Sequence, residues 1–151
     1  MADTLLIRLA AGGAGFRDWL LVDEQGRGKG PVQSGIPGDG LINALSRVVV
    51  LVPGIEVALL SARVPVRNRQ RVLRAIPYAL EEQLAGDVDQ LHFAVGPVQQ
   101  DQSYPVAVVE RRRMDSWTAL LRDAGIQAHQ LCPETLALPV AEEGWSLLPD
   151  G

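Results

Sequence analysis

One cysteine, one lysine and no long apolar run mark this chain of 151 residues. Each scarcity removes a class of protein. A lone Cys132 closes no intrachain disulfide, and a reducing compartment is its simplest setting. Spanning a bilayer takes about 18 apolar residues, and the longest run here, residues 48–52, has the length of a buried strand. The start of the chain is no secretory signal, because Asp3 is acidic and Arg8 breaks the apolar stretch of residues 5–11. Any membrane role then comes from a segment outside this sequence or from a partner. The basic residues are arginines except Lys29, which genome composition explains. The formal net charge of −4 leaves no electrostatic case for nucleic acid.

What is present builds a core. Hydrophobic residues make up 47% of the chain and charged residues 21%, which argues against disorder. The length fits one domain or two small lobes. Residues 4–9 and 19–23 read as strands around the turn Ala11-Gly12-Gly13-Ala14-Gly15, and residues 30–34 as a weak third strand. A short helix at 39–46 follows, with Leu41, Ile42 and Leu45 as its apolar face. Residues 47–52 form a continuous β-branched run, the pattern of a strand covered on both faces, and Pro53-Gly54 ends it. The order β-β-β-α-β opens an RNase H-like or actin-like half-domain.

A second unit begins at residue 55. Residues 55–63 read as a strand and 68–85 as a helix, with Val72, Ala75, Ile76, Ala79, Leu80 and Leu84 on one face. Pro77 removes a donor inside that helix and predicts a kink or a split. Strands are expected at 91–98 and 104–110, the apolar stretch 106–109 being central rather than an edge. A second helix is expected at 112–124, with Gly125 just past its end, and a last strand at 126–131. The order β-α-β-β-α-β is the ferredoxin-like split pattern. The expected fold is therefore mixed α/β, in three stretches. Residues 1–54 start the RNase H-like lobe, 55–131 form the inserted lobe, and 132–151 return to the first. A helical start at 134–138 and a strand at 145–148 fall in that return, and the whole reads as a fragment of a longer protein.

Chemistry is scarce. The glycine turn at 12–15 sits where actin-like ATPases grip phosphates, but Arg8-Leu9-Ala10-Ala11 offers no carboxylate for magnesium and the turn has no hydroxyl. No Walker-type Gly-Lys-Ser/Thr occurs. His92 and His129 lack partners at metal-ligand spacing and read as structural. Cys132 has no base to activate it, and no serine lies in a nucleophile elbow. The expectation is no catalytic residue, no metal ligand and no cofactor. Charge clusters remain. Arg67, Arg69, Arg71 and Arg74 crowd the start of the long helix, against the macrodipole, and Arg111-Arg112-Arg113 does the same at the next helix. Glu81, Glu82, Asp87 and Asp89 make the far end of the long helix acidic. Solvated faces and partner-binding surfaces are both open readings for these groups.

Residues 69–93 combine the arginine-studded helix, its proline, Glu81-Glu82, the Gly86-Asp87 turn and a strand with Leu91, His92 and Phe93. That order resembles the cytoplasmic domain of the type II secretion system protein L family. Residues 48–54, 108–125 and 131–139 support the likeness. The chain is also similar to the type IV pilus assembly M protein, which keeps a nucleotide site; the missing metal carboxylate favours protein L. The resemblance implies an actin-like scaffold without ATPase activity on the cytoplasmic face of the bacterial inner membrane. A transmembrane helix absent from this chain would anchor it. The implied partners are the N-terminal domain of the secretion ATPase, the secretion M protein and a possible second copy in a homodimer. Arg67, Arg69, Arg71, Arg74, Glu81, Glu82, Asp87 and Asp89 are the expected partner-binding residues. The alternatives are a nucleotide-binding pilus assembly protein or ATPase fragment, and a structural homodimerisation module.

Overall fold

Alternating side chains set the first strand. In β1 (Thr4–Leu9) of the computed structural model, Leu5, Ile7 and Leu9 turn inward and are buried, while their neighbours are half-buried. The structure describes residues 3–44 and 47–137. β2 (Phe16–Val22) runs back antiparallel, pairing Leu5 with Leu21 and Ile7 with Trp19. β3 is only Gln33–Ser34, shorter than expected, and sits on the edge beside β2. The helix α1 (Asp39–Ala44) leads to β4 (Arg47–Val52), which lies parallel to β1. Val48, Val50 and Val52 are buried, but Val49 and Leu51 are half-buried. The β-branched run is therefore fully covered on one face only, against the expectation of two.

The chain divides into two compact units, residues 1–56 with 117–151 and residues 57–116. The second unit holds β5 (Ala58–Ala62), α2 (Arg69–Leu80), β6 (Leu91–Val95), β7 (Tyr104–Glu110) and the first turns of α3 (Arg111–Asp123). Its sheet has the order β5-β7-β6, both pairings antiparallel. β7 is central, as its apolar stretch predicts. Val72, Ile76 and Leu80 of α2 pack with Ala62, Leu91, Val106 and Val108 into one core. Asn68 caps the helix, its side-chain oxygen accepting from the N–H groups of Gln70 and Arg71 at 3.0 and 3.3 Å. The helix runs through Pro77 unbroken, so the expected split does not occur. It ends at Leu80 rather than at 85, and Glu81–Gln83 tightens into a 3₁₀ turn, a common way to satisfy terminal carbonyls.

The last strand departs from the ferredoxin-like expectation. β8 is Gln130–Pro133, and it pairs parallel with β4 in the first sheet, giving the order β3-β2-β1-β4-β8. Gly125, at φ 71°, ends α3, and Ile126 N–H reaches back to the carbonyl of Leu121 at 2.9 Å. Ile126, expected to open the strand, instead closes the helix and is buried. His129 then secures the new pairing twice. Its N–H donates to the Val48 carbonyl at 2.9 Å, and its Nδ1 accepts the Val48 N–H at 3.0 Å. The ring thus extends the ladder beyond the strand. We expect His129→Ala to cost about 1 kcal/mol by orphaning a buried donor. His129→Asn, which keeps an acceptor, should recover most of that in chemical denaturation; equal losses would remove the ring from the ladder. The helical start expected at 134 appears as a 3₁₀ turn, Glu134–Ala137. The strand expected at 145–148 lies outside the described residues.

Candidate docking face

The exposed side of α2 carries the charges that the sequence singles out. Arg71, Arg74, Tyr78 and Glu81 recur at helical spacing on the face opposite Val72, Ile76 and Leu80. At 1.5 Å per residue, the step from Arg71 to Glu82 covers roughly 16 Å along the axis. One stripe therefore runs from cationic to anionic. Tyr78 is 67% exposed within it, and Leu73, 43% exposed, lies at the margin of the buried face. Sequence reading missed both, because attention went to the buried stripe. Their signal was available as apolar residues that fall off that stripe.

The eight expected residues divide by what they touch. Arg67, Arg71, Arg74, Glu81, Glu82 and Asp89 are exposed, with no ion pair among the described residues. Arg69 is used internally: Nη2 donates to the Val95 carbonyl at 2.7 Å and Nη1 to that of Gly96 at 3.3 Å. The second bond has a cause. Gly96 faces Pro105 across the ladder, and proline has no N–H to give its carbonyl. Arg69 supplies the missing donor. Asp87 caps a 3₁₀ turn, accepting the Asp89 N–H at 3.0 Å.

The glycine turn shows what stands where a phosphate would come. Gly12, Gly13 and Gly15 all have positive φ, a geometry suited to backbone capture of an anion. The Gly12 N–H is taken at 3.0 Å by Oε1 of Glu56. A carboxylate at that place repels phosphate. Nearby, Arg8 meets Asp18 across the strands in a two-pronged ion pair, at 3.1 and 2.9 Å. Arg8 thus brings a cation, itself neutralised, to the strand where a metal carboxylate was sought. Burial pushes the Cys132 thiol above its ordinary value, which disfavours thiolate chemistry. His92 is exposed, rather than the satisfied structural histidine expected. Among the described residues no cluster of His, Cys, Asp and Glu could hold a metal ion, and no helix is long and apolar enough to cross a membrane.

A five-stranded sheet with β1, β4 and β8 parallel and β1 to β3 antiparallel, carrying an insertion between β4 and β8, defines an RNase H-like, actin-like α/β protein. Comparison narrows the class. The family described as type II secretion system (T2SS), protein L matches residues 5–151. The chain belongs to the type II secretion system protein L family. It is 33% identical over 153 residues to the protein L of Dickeya chrysanthemi, covering 95% of this chain and 37% of that protein. Against the protein L of Klebsiella pneumoniae the identity is 34% over 150 residues, covering 99% and 35%. The chain thus spans about a third of the length of these relatives. Among solved structures, the cytoplasmic domain of EpsL, an inner membrane component of the type II secretion system of Vibrio cholerae, superposes with a TM-score of 0.72. That match has 25% identity and covers 95% of this chain and 62% of the other. A PilM–PilN type IV pilus biogenesis complex shares the fold at a TM-score of 0.53 and 17% identity, covering 90% and 48%.

Proposed function

We propose that this chain is a non-catalytic scaffold on the cytoplasmic face of the inner membrane, which holds the N-terminal domain of the secretion ATPase against the secretion platform. The observation that carries the reading is the α2 stripe, where unpaired arginines, exposed Tyr78 and the acids Glu81 and Glu82 lie on one helical face, with the exposed Leu73 on its flank. Aromatic and arginine side chains are the usual anchors of protein interfaces. The carboxylate of Glu56 on the glycine turn supports a fold that has given up nucleotide. The anchor would be a transmembrane helix outside this chain, and the M protein of the same system a lateral partner. Nucleotide-driven motion of the ATPase would then pass through this domain to the platform.

Isothermal titration with the ATPase N-terminal domain tests the reading, run beside a titration with magnesium-ATP. Heat from the protein and silence from the nucleotide are the expected result. Saturable nucleotide binding would instead make the chain an active actin-like protein. Reversing both acids, Glu81→Lys with Glu82→Lys, should weaken capture roughly 3- to 30-fold, the range for two partly solvated charge contacts. Unchanged affinity in the folded variant takes the acidic end out of the interface.

A further inference from the structure

Among the described residues the first sheet ends at β8, which has β4 on one side and no strand on the other. In a parallel ladder alternate residues of a strand serve its neighbour. The His129 N–H donates to the Val48 carbonyl at 2.9 Å, so His129 and Leu131 face β4. Gln130 and Cys132 then turn N–H and C=O away from the sheet. Residues 126–133 contain no lysine, arginine, aspartate or glutamate. Only Pro133, at the far end, offers the protection that edge strands usually carry.

An apolar cavity flanks this edge. It lies between the end of α3 and β8, measures about 590 Å³, and is lined by Leu121, Ile126, Ala128 and Leu131. That size and lining are those of a binding pocket. A strand laid outside β8 would set alternate side chains beside Leu131, and so in this cavity.

The groove continues past Gly125, which also borders a polar cavity of about 390 Å³ lined by Asp39, Asn43 and Asp123. Asp39 is exposed and has no ion pair among the described residues. Asp123 meets Arg122 at 3.8 Å, with side chains 78% and 75% exposed, a geometry that holds neither firmly. The last carbonyls of α3 add negative potential at this end. Two acids against one arginine leave the groove anionic.

We propose that the β8 edge and its two cavities dock an extended segment of another protein. The segment runs antiparallel to β8, with apolar side chains in the larger cavity and a lysine or arginine at its C-terminal end, against Asp39 and Asp123. That direction brings its C-terminal end to the start of β8, next to the acidic cavity. Sheets that are otherwise parallel commonly carry one antiparallel edge strand. The main chain then supplies affinity, and the cavities select the side chains. The surface lies in the first unit and uses no residue of α2, so it is independent of the recruitment reading.

Fluorescence anisotropy with a labelled eight-residue peptide tests it. Threonine and leucine alternate over its first six positions, and two lysines follow. It should bind with a dissociation constant on the order of 100 μM, the weak class of a contact below about 1,000 Å². Serine in place of the leucines should weaken binding about tenfold or more, and glutamate in place of the lysines about fivefold or more. The doubly substituted protein D39N/D123K changes two exposed sites, and circular dichroism confirms its fold. It should reverse the charge preference and bind the glutamate peptide more tightly. Methylating alternate amide nitrogens of the peptide tests the main chain. One phase of methylation should remove binding and the other leave it within about twofold, because only one set of N–H groups faces β8. No saturable binding, a serine peptide that binds as well, an unchanged charge preference in the folded variant, or equal effects of the two methylation phases would each overturn the proposal.

Discussion

Replacing Ile76 by alanine lowers the stability of the second unit by about 2–5 kcal/mol, the usual range for emptying a fully buried aliphatic site. Ile76 is 0% exposed, with Val72 and Leu80 one turn away on either side and likewise 0% exposed. The three meet Val106 and Val108 of the central strand. One helix on three strands has little second cover, so the truncated space has few neighbours free to collapse into it. Urea denaturation followed by circular dichroism measures the loss. Tyr78→Ala is the matched control, two positions away and 67% exposed. Away from core and capping positions, surface changes stay within about 0.5 kcal/mol. Similar losses in the two variants would mean that the inward and outward faces of α2 are wrongly assigned.

Gly96→Ala should cost about 1–3 kcal/mol, as overpacking does in well-filled sites. A Cβ there would lie 2.7 Å from Cγ of Pro105, a ring with no rotamer to escape into. The Pro105 carbonyl and Cδ stand at 3.5 and 3.6 Å, so the new methyl has no easy direction to shift. Pro105→Ala removes the ring and returns an N–H to face the Gly96 carbonyl. The double variant should therefore be more stable than the sum of the single losses, with a coupling on the order of 1–3 kcal/mol between touching residues. Additive losses in thermal and chemical melts would show that the Pro105 ring is not what excludes the methyl. Arg69→Ala, measured in the same background, should cost less once Pro105 is alanine, because the ladder then supplies its own donor.

Local signals carried much of this fold into the sequence. The stripe of Val72, Ile76 and Leu80 gave α2, the apolar run at 106–109 gave a central strand, and Gly125 marked the end of α3. Each depends on neighbours within a few residues. The placement of β8 depends on Val48 and His129, 81 positions apart, and no periodicity reports a pairing at that distance. The candidate face was legible as charge but not as geometry. Arg69 looked like its neighbours Arg67 and Arg71, yet its role follows from a proline on another strand. Pro77 carried the opposite lesson: of the kink or split it predicted, the split does not occur, and Ile76 and Leu80 on either side of it are buried.

The parallel pairing of β4 with β8 also sets an order of events during synthesis. When β4 leaves the ribosome, β1 is ready on one side, but the strand that covers its other side is still untranslated. At roughly 5–20 residues per second, the 81 residues from Val48 to His129 take about 4–16 s to make. For that interval Val48, Val50 and Val52 belong to a sheet with a raw apolar margin, while the second unit, whose strands all lie between, can already fold. Nascent chains of this family therefore pass through a window in which a chaperone, or another nascent chain, competes with β8 for β4.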